Sequence, residues 1–388
     1  MDVIFLLLII ALGLFFINSF KSSVSNYDIK MLRRLFYYHL AFGVYYCFFT
    51  AGDSIGHWRE AKIMTFKDFI YSLTEVKGTY FFRAFNYFPA NVLDLSYFTG
   101  TMLYSLMGFI GLTYFYLIAI NIVPYNSKYK GYYLFPALFF LPNLHFWSCG
   151  VGKDTLCLFC IGIFMYGILK PLKRFPMLIL GLSLTYFVRP HIALFLLLAF
   201  GMAYIFTSKI SFFQRIFFSI IIGSIVLSIL PSVMEFAKIE ETTAESLEQF
   251  SKNKAELLSR ASVGTSIDIS SYPFPLKVFS FLYRPFFFDI NGLPAILASF
   301  ENLLLLILSY FVVRNKLIQT FKKAPFVIQG MVFFLIIGTL AFSQSLGNIG
   351  IMIRMRNMFL PGLLIFILWS FSYRQQILKE KNKKNGLR

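Results

Sequence analysis

The chain has 388 residues, of which 58% are hydrophobic, 20% aromatic and only 14% charged, and it carries a formal net charge of +18. Soluble globular chains hold about 25% charged residues, so this composition excludes an ordinary soluble enzyme and leaves a polytopic membrane protein. The excess of Lys and Arg falls in alternate loops, which is the pattern of an anionic inner leaflet and not of a nucleic-acid partner.

Apolar runs of about 17 to 25 residues cross the hydrocarbon core as helices, which satisfy their own backbone in lipid. In chain order they predict eleven crossings, at about 2–20, 35–51, 98–120, 131–148, 155–169, 175–188, 192–208, 216–231, 294–313, 325–342 and 357–373. The expected fold class is all-α, a single polytopic membrane domain over 1–388 with a basic tail at 374–388. Two long outer loops, about 52–97 and 232–293, mix apolar and charged residues at helical spacing and predict short interfacial helices.

Lys and Arg are retained on the cytoplasmic side of short loops. Lys21, Lys30, Arg33 and Arg34 follow the first run, Lys128 and Lys130 the third, and Lys170, Lys173 and Arg174 the fifth. Lys209 and Arg215 follow the seventh, and Arg314, Lys316, Lys322 and Lys323 the ninth. This orientation puts the N-terminus outside and the C-terminus in the cytoplasm. The first run lacks a basic leading region and a small-residue cleavage site, so it is expected to be a retained helix. Cys157 and Cys160 share a helix face inside an apolar run and are expected to pack, not to cross-link. No metal site or other cofactor is indicated, and an assisting divalent cation is left open.

The first outer loop opens with Asp53, His57 and Glu60. At i and i+4, Asp53 and His57 share a face if the loop begins as a helix. A carboxylate there, partly desolvated, suits a general base, with His57 or Glu60 as its substitute. Further on, Pro142 interrupts the fourth run, and Gly150 and Gly152 permit tight turns ahead of Lys153 and Asp154. Irregular backbone at membrane depth lines protein or water, so His145, Lys153 and Asp154 are candidate ligand contacts. The alternative is a Lys153–Asp154 pair acting as an interfacial anchor. The Gly-Lys-Asp-Thr string is not a phosphate loop, because the first glycine of that motif is missing.

Arg189-Pro190-His191 forms an outer hinge, where a planar guanidinium suits phosphate. The second outer loop is acidic from Glu235 to Glu256, turns basic at Arg260, and reaches Arg284 before Pro285. Glu301 lies seven residues inside the ninth crossing, followed by Asn302, and Gly347-Asn348 leads to Arg354 and Arg356. All these polar residues are expected at the outer face, while His39 is the one histidine placed away from it. The cations Lys153, Arg189, Arg284, Arg354 and Arg356 suggest a receptor for a polyanionic head group.

The strings Leu141 to Asp154, Arg189-Pro190-His191, Tyr283-Arg284-Pro285-Phe286, Ser299-Phe300-Glu301-Asn302 and Gly347-Asn348 to Arg356 resemble multispanning proteins of bacterial surface-polysaccharide clusters. Those proteins are similar to O-antigen and oligosaccharide repeat-unit polymerases and, more distantly, to C-type glycosyltransferases. The resemblance covers roughly residues 50–365. It implies an enzyme of the bacterial inner membrane that takes a polyprenyl-diphosphate-linked sugar, acts outside the cytoplasm, and works beside other polysaccharide-assembly proteins. The long outer loop directly after the second crossing departs from the polymerase layout and is closer to the C-type pattern of a first-loop catalytic carboxylate. A flippase or exporter of lipid-linked oligosaccharide and a membrane acyltransferase are the alternatives. The first needs polar residues through to both faces, and the second a histidine near a cytoplasmic acyl donor.

Overall fold

The computed structural model describes residues 2–50, 52–74, 77–207, 211–237, 253, 272–290 and 292–384. Helices α1 (Asp2–Asn18), α2 (Asn26–Phe49), α3 (Asp53–Ile63), α4 (Phe66–Thr74) and α5 (Thr79–Phe85) lead through a π-helical turn (Phe88–Val92) into α6 (Tyr97–Ile122). A short hairpin pairs β1 (Lys128–Tyr129) with β2 (Tyr132–Tyr133), closed by Lys130 and Gly131 at positive φ. Then come α7 (Leu134–Ala137), a 3-10 turn (Leu138–Phe140), α8 (Pro142–Phe146), α9 (Lys153–Ile168), α10 (Phe175–Val188), α11 (Pro190–Thr207) and α12 (Phe212–Ala237). The chain ends with α13 (Phe274–Tyr283), a 3-10 turn (Phe287–Asp289), α14 (Leu293–Arg314), α15 (Leu317–Lys322), α16 (Phe326–Ser345), α17 (Ile349–Arg356) and α18 (Leu360–Lys384).

The described chain is therefore all-α apart from the one hairpin. Four of its helices, α6, the Phe212–Pro231 part of α12, α14 and α16, are long and apolar enough to cross a membrane. The pair α17 and α18, bent by 61° at a short break, makes a fifth. Helices α1, α10, α11 and α13 are apolar but shorter. The segment 52–97, expected as the first outer loop, contains short helices as expected, α3 to α5. The expected helical crossing at 131–148 is not continuous: the segment is the second hairpin strand, two short helices and a 3-10 turn. Pro136 and Pro142 carry no N–H and cannot extend a helix through it.

The chain divides into two compact units, Met1–Leu117 with Phe139–Ala193, and Ile118–Leu138 with Leu194–Arg388. In the first unit three helices meet backbone to backbone at glycines. A Cβ on Gly162 of α9 would stand 2.7 Å from the Gly111 carbonyl of α6, and one on Gly181 of α10 the same 2.7 Å from the Cys160 carbonyl. Small residues permit such approach where packing, not water, drives association. Gly162→Leu is expected to force α6 and α9 apart and to cost at least about 1–3 kcal/mol, measured as a lower unfolding temperature of the detergent-purified chain. An unchanged midpoint would mean that this contact is loose.

In the second unit α16 packs against α13, α17 and α18. Phe334 and Phe359 meet at 4.6 Å between ring centroids, and Trp369 of α18 donates to the Thr320 carbonyl of α15 at 3.2 Å. Across Phe212–Pro231 no residue of α12 is fully buried among the described residues, and Phe218 meets Tyr204 of α11 edge to face at 4.8 Å. A helix of that composition is at home against lipid.

Candidate functional site

Helix α3 is positioned by the face it buries. Trp58, only 2% exposed, occupies the space that a side chain on Gly100 of α6 would need, and its Nε1 donates to the Leu95 carbonyl at 3.3 Å. Ser54 and Tyr97 share a hydrogen bond of 2.9 Å between their hydroxyls. The adjoining face of α3 carries Asp53 and Glu60, both exposed, and His57, half-buried. The predicted i, i+4 relation between Asp53 and His57 is present, since α3 begins at Asp53.

Helix α5 brings the second wall. Arg83 pairs with Glu60, and the His57 ring meets Phe82 edge to face at 5.5 Å. The Gly78 amide donates to the Phe187 carbonyl at 2.8 Å and Phe81 stacks on Phe187 at 5.0 Å, which fixes α5 against the end of α10. Lys77 lies over the Tyr186 ring at 4.7 Å.

The third wall is the start of α9 and the α10–α11 hinge. The Lys153 ammonium donates to the Thr79 hydroxyl at 2.8 Å, and Arg189 Nη2 bonds Asp154 Oδ1 at 2.6 Å. The side chains of that ion pair are 6% and 9% exposed. Lys153 and Asp154 thus turn to separate elements, which displaces the anchor expected of the two together. Behind them Thr155 donates to the Gly150 carbonyl at 2.7 Å, holding the turn that precedes the helix.

Five residues singled out from three distant segments, His57, Glu60, Lys153, Asp154 and Arg189, therefore fall on one connected set of contacts, with Asp53 one turn before His57. Electrostatics links the parts. Burial is the main influence holding the His57 imidazole below its ordinary pKa, the Lys153 and Arg83 cations add to it, and Asp53 and Glu60 pull the other way. Arg83, Thr79 and Lys77 were not singled out from the sequence. Arg83 is one of five basic residues between 52 and 97, with Arg59, Lys62, Lys67 and Lys77, against as many acids, so nothing in the sequence set it apart.

The remaining candidates lie elsewhere. His145 is buried, its Nδ1 2.8 Å from Nδ1 of His39 and its Nε2 2.7 Å from the Phe139 carbonyl. Since that carbonyl can only accept, a neutral His145 carries its proton on Nε2 and accepts at Nδ1 from His39. His39 lies mid-way along α2, ten residues or roughly 15 Å of helix before its end at Phe49. His145 is thus a packing partner of α2 and not a member of the Asp53 cluster, contrary to its expected place at the outer end. The same contact engages Nδ1 of His39, the histidine that an acyltransferase would require. His191 is half-buried on the first turn of α11.

In the second unit Arg284 and Arg356 bond to the chain itself. Asp289 accepts from Arg284 Nε at 3.0 Å, pairs with its Nη2, and accepts from the Phe286 amide at 2.9 Å, while Tyr272 accepts from Arg284 Nη1 at 3.2 Å. Asp289 is the chief reason the Arg284 guanidinium is held above its usual pKa. Arg356, 1% exposed, bonds the Leu282 carbonyl and, at 2.7 Å, the side-chain carbonyl of Asn302, with the Glu301 carboxylate acting on it electrostatically. Glu301 is 4% exposed on α14, and Arg354 is half-buried on α17. Arg260 lies outside the described residues. Among the described residues no group of three or more His, Cys, Asp or Glu side chains is placed to hold a metal ion. No family model, curated protein or solved structure matches the chain.

Proposed function

We propose that the chain transfers or polymerises sugar from a polyprenyl-diphosphate-linked donor at the outer face of the bacterial inner membrane, in surface-polysaccharide synthesis. The apolar helices then make eleven passages, the fourth in broken pieces, with the N-terminus outside and the C-terminus in the cytoplasm. The observation that carries this reading is the convergence of α3, α5, the start of α9 and the α10–α11 hinge on a half-buried imidazole ringed by Lys153, Arg83, Asp53 and Glu60.

Each part has a role that the chemistry needs. As the acceptor oxygen attacks the anomeric carbon, the bond to the diphosphate oxygen breaks and negative charge grows on the leaving group. A fixed cation such as Lys153 stabilises that charge. The acceptor hydroxyl gives its proton to His57, which is neutral at pH 7 because its surroundings disfavour the charged form. Asp53, one helical turn earlier, orients the imidazole or takes the proton in its place. The buried Arg189–Asp154 pair keeps the first turn of α9, and so Lys153, in position.

Glycan transfer in membrane vesicles is expected to fall by about a hundredfold or more for His57→Gln and for Asp53→Asn at normal expression. Arg83→Gln removes a cation beside His57 and releases Glu60, and both changes favour the protonated ring. The acid limb of kcat/KM is therefore expected to move to higher pH. Wild-type rates in His57→Gln and Asp53→Asn alike would sink the assignment.

A further inference from the structure

The second unit contains a cleft remote in sequence from every residue of the proposed transfer site. It lies where the end of α14, the start of α15 and the last turns of α18 come together, and it encloses about 430 Å³. That volume is within the roughly 300–1,000 Å³ typical of small-molecule sites. Arg314, Lys316 and Arg374 line it, with no carboxylate among the lining residues. Phe311, Ile377 and Leu378 form its apolar wall. A second, more open hollow of about 620 Å³ shares Lys316 and Gln319 and adds Lys322 and Lys323.

Two observations distinguish the cleft from a generic basic rim. The side-chain amide nitrogen of Asn315 is shielded from solvent and meets no hydrogen-bond partner among the described residues. Such a donor is costly unless something accepts from it. Next to it, Lys316 holds a left-handed backbone, φ 55°, which a side-chain-bearing residue rarely adopts. That conformation separates α14 from α15 at the cleft itself, and strain of this kind gathers at ligand sites. The surround is firmly built: Thr320 donates to the Asn315 carbonyl at 2.7 Å, Trp369 donates to Thr320, and Trp369 stacks on Tyr373 at 6.0 Å.

We infer that this cleft binds the head group of an anionic phospholipid, its phosphate held by Lys316, Arg374 and the Asn315 amide and its acyl chains laid along Phe311, Ile377 and Leu378. Three cations beside an apolar wall match a ligand that is charged at one end and oily at the other. A soluble anion would have no use for the wall, and a zwitterionic lipid would bring its own cation against Arg314 and Arg374. The nearest acid along α18, Glu380, accepts from Gln376 at 3.1 Å. The site is independent of the transfer reaction, since it shares no residue with it.

The test is thermal unfolding of the full-length chain in a neutral detergent, titrated with short-chain phosphatidylglycerol, phosphatidylcholine or inorganic phosphate. Phosphatidylglycerol should raise the midpoint saturably, with phosphatidylcholine and phosphate inert over the same range. The double variant Lys316→Gln/Arg374→Gln should need at least tenfold more phosphatidylglycerol for the same shift. Lys316→Gly removes the cation while relieving the backbone, so it should unfold no earlier than wild type without lipid and still bind more weakly. Lys21→Gln/Lys30→Gln, an equal loss of charge elsewhere, should respond as wild type does. A wild-type response in Lys316→Gly and the double variant, or an equal response to phosphatidylcholine, overturns the proposal. A response to inorganic phosphate alone makes this a site for soluble anions and overturns the lipid assignment.

Discussion

Arg356→Met is expected to lower the stability of the chain by about 3–5 kcal/mol, the cost of removing one partner from a buried charged network. The side chain is 1% exposed and ties the last turn of α13, through the Leu282 carbonyl, to Asn302 on α14. Methionine fills similar space but donates nothing, so both acceptors lose their hydrogen bond and Glu301 loses the cation that acts on it. In detergent the unfolding midpoint should fall by on the order of 10 °C. Adding Glu301→Gln should recover part of that loss, because it withdraws the carboxylate left without a counter-charge. A role in holding diphosphate makes the opposite forecast, an inactive variant of normal stability. Finding that result would return Arg356 to the substrate site.

The contrast between the two units marks how far the sequence could be read. Apolar runs located the long helices closely, because an uninterrupted stretch such as Tyr97–Ile122 or Phe326–Ser345 has few ways other than a helix to satisfy its backbone in lipid. The same reasoning failed at 131–148, where hydropathy counts Pro136 and Pro142 as tolerable and hydrogen bonding does not. At the candidate site, Asp53, His57 and Glu60 were legible because the spacing of one helix relates them. Lys153 and Arg189 were legible because they flank glycines and a proline. Their partners were not, since nothing local connects Lys153 to Thr79 or Glu60 to Arg83 across the fold. The arginines of the second unit were read as ligand-facing on residue type alone. Arg284 and Asp289, only five residues apart, show that a short-range partner already answered the charge. His145 was misplaced for a related reason: a helix break sets where a segment bends but not how deep its next turn runs, and only the contact with His39 fixes that depth.

The Asp154–Arg189 pair separates a positioning role from a binding one. Each side chain is below 10% exposed, so Asp154→Leu or Arg189→Met alone strands a buried charge and is expected to cost about 3–5 kcal/mol, with transfer activity lost alongside. The double variant strands neither. Apolar replacements of a buried ion pair are often neutral or better, so its unfolding midpoint should return close to that of wild type and the two single losses should be strongly non-additive. If Arg189 acts by holding the first turn of α9, activity returns with stability, since Lys153 keeps both its charge and its bond to Thr79. If Arg189 itself grips the donor, the double variant is stable and silent, and Arg189→Lys is inactive as well, because an ammonium cannot reproduce the planar fork of a guanidinium. The first outcome is the one the geometry leads us to expect: the short bond to Asp154 and the burial of both groups direct the guanidinium into the protein.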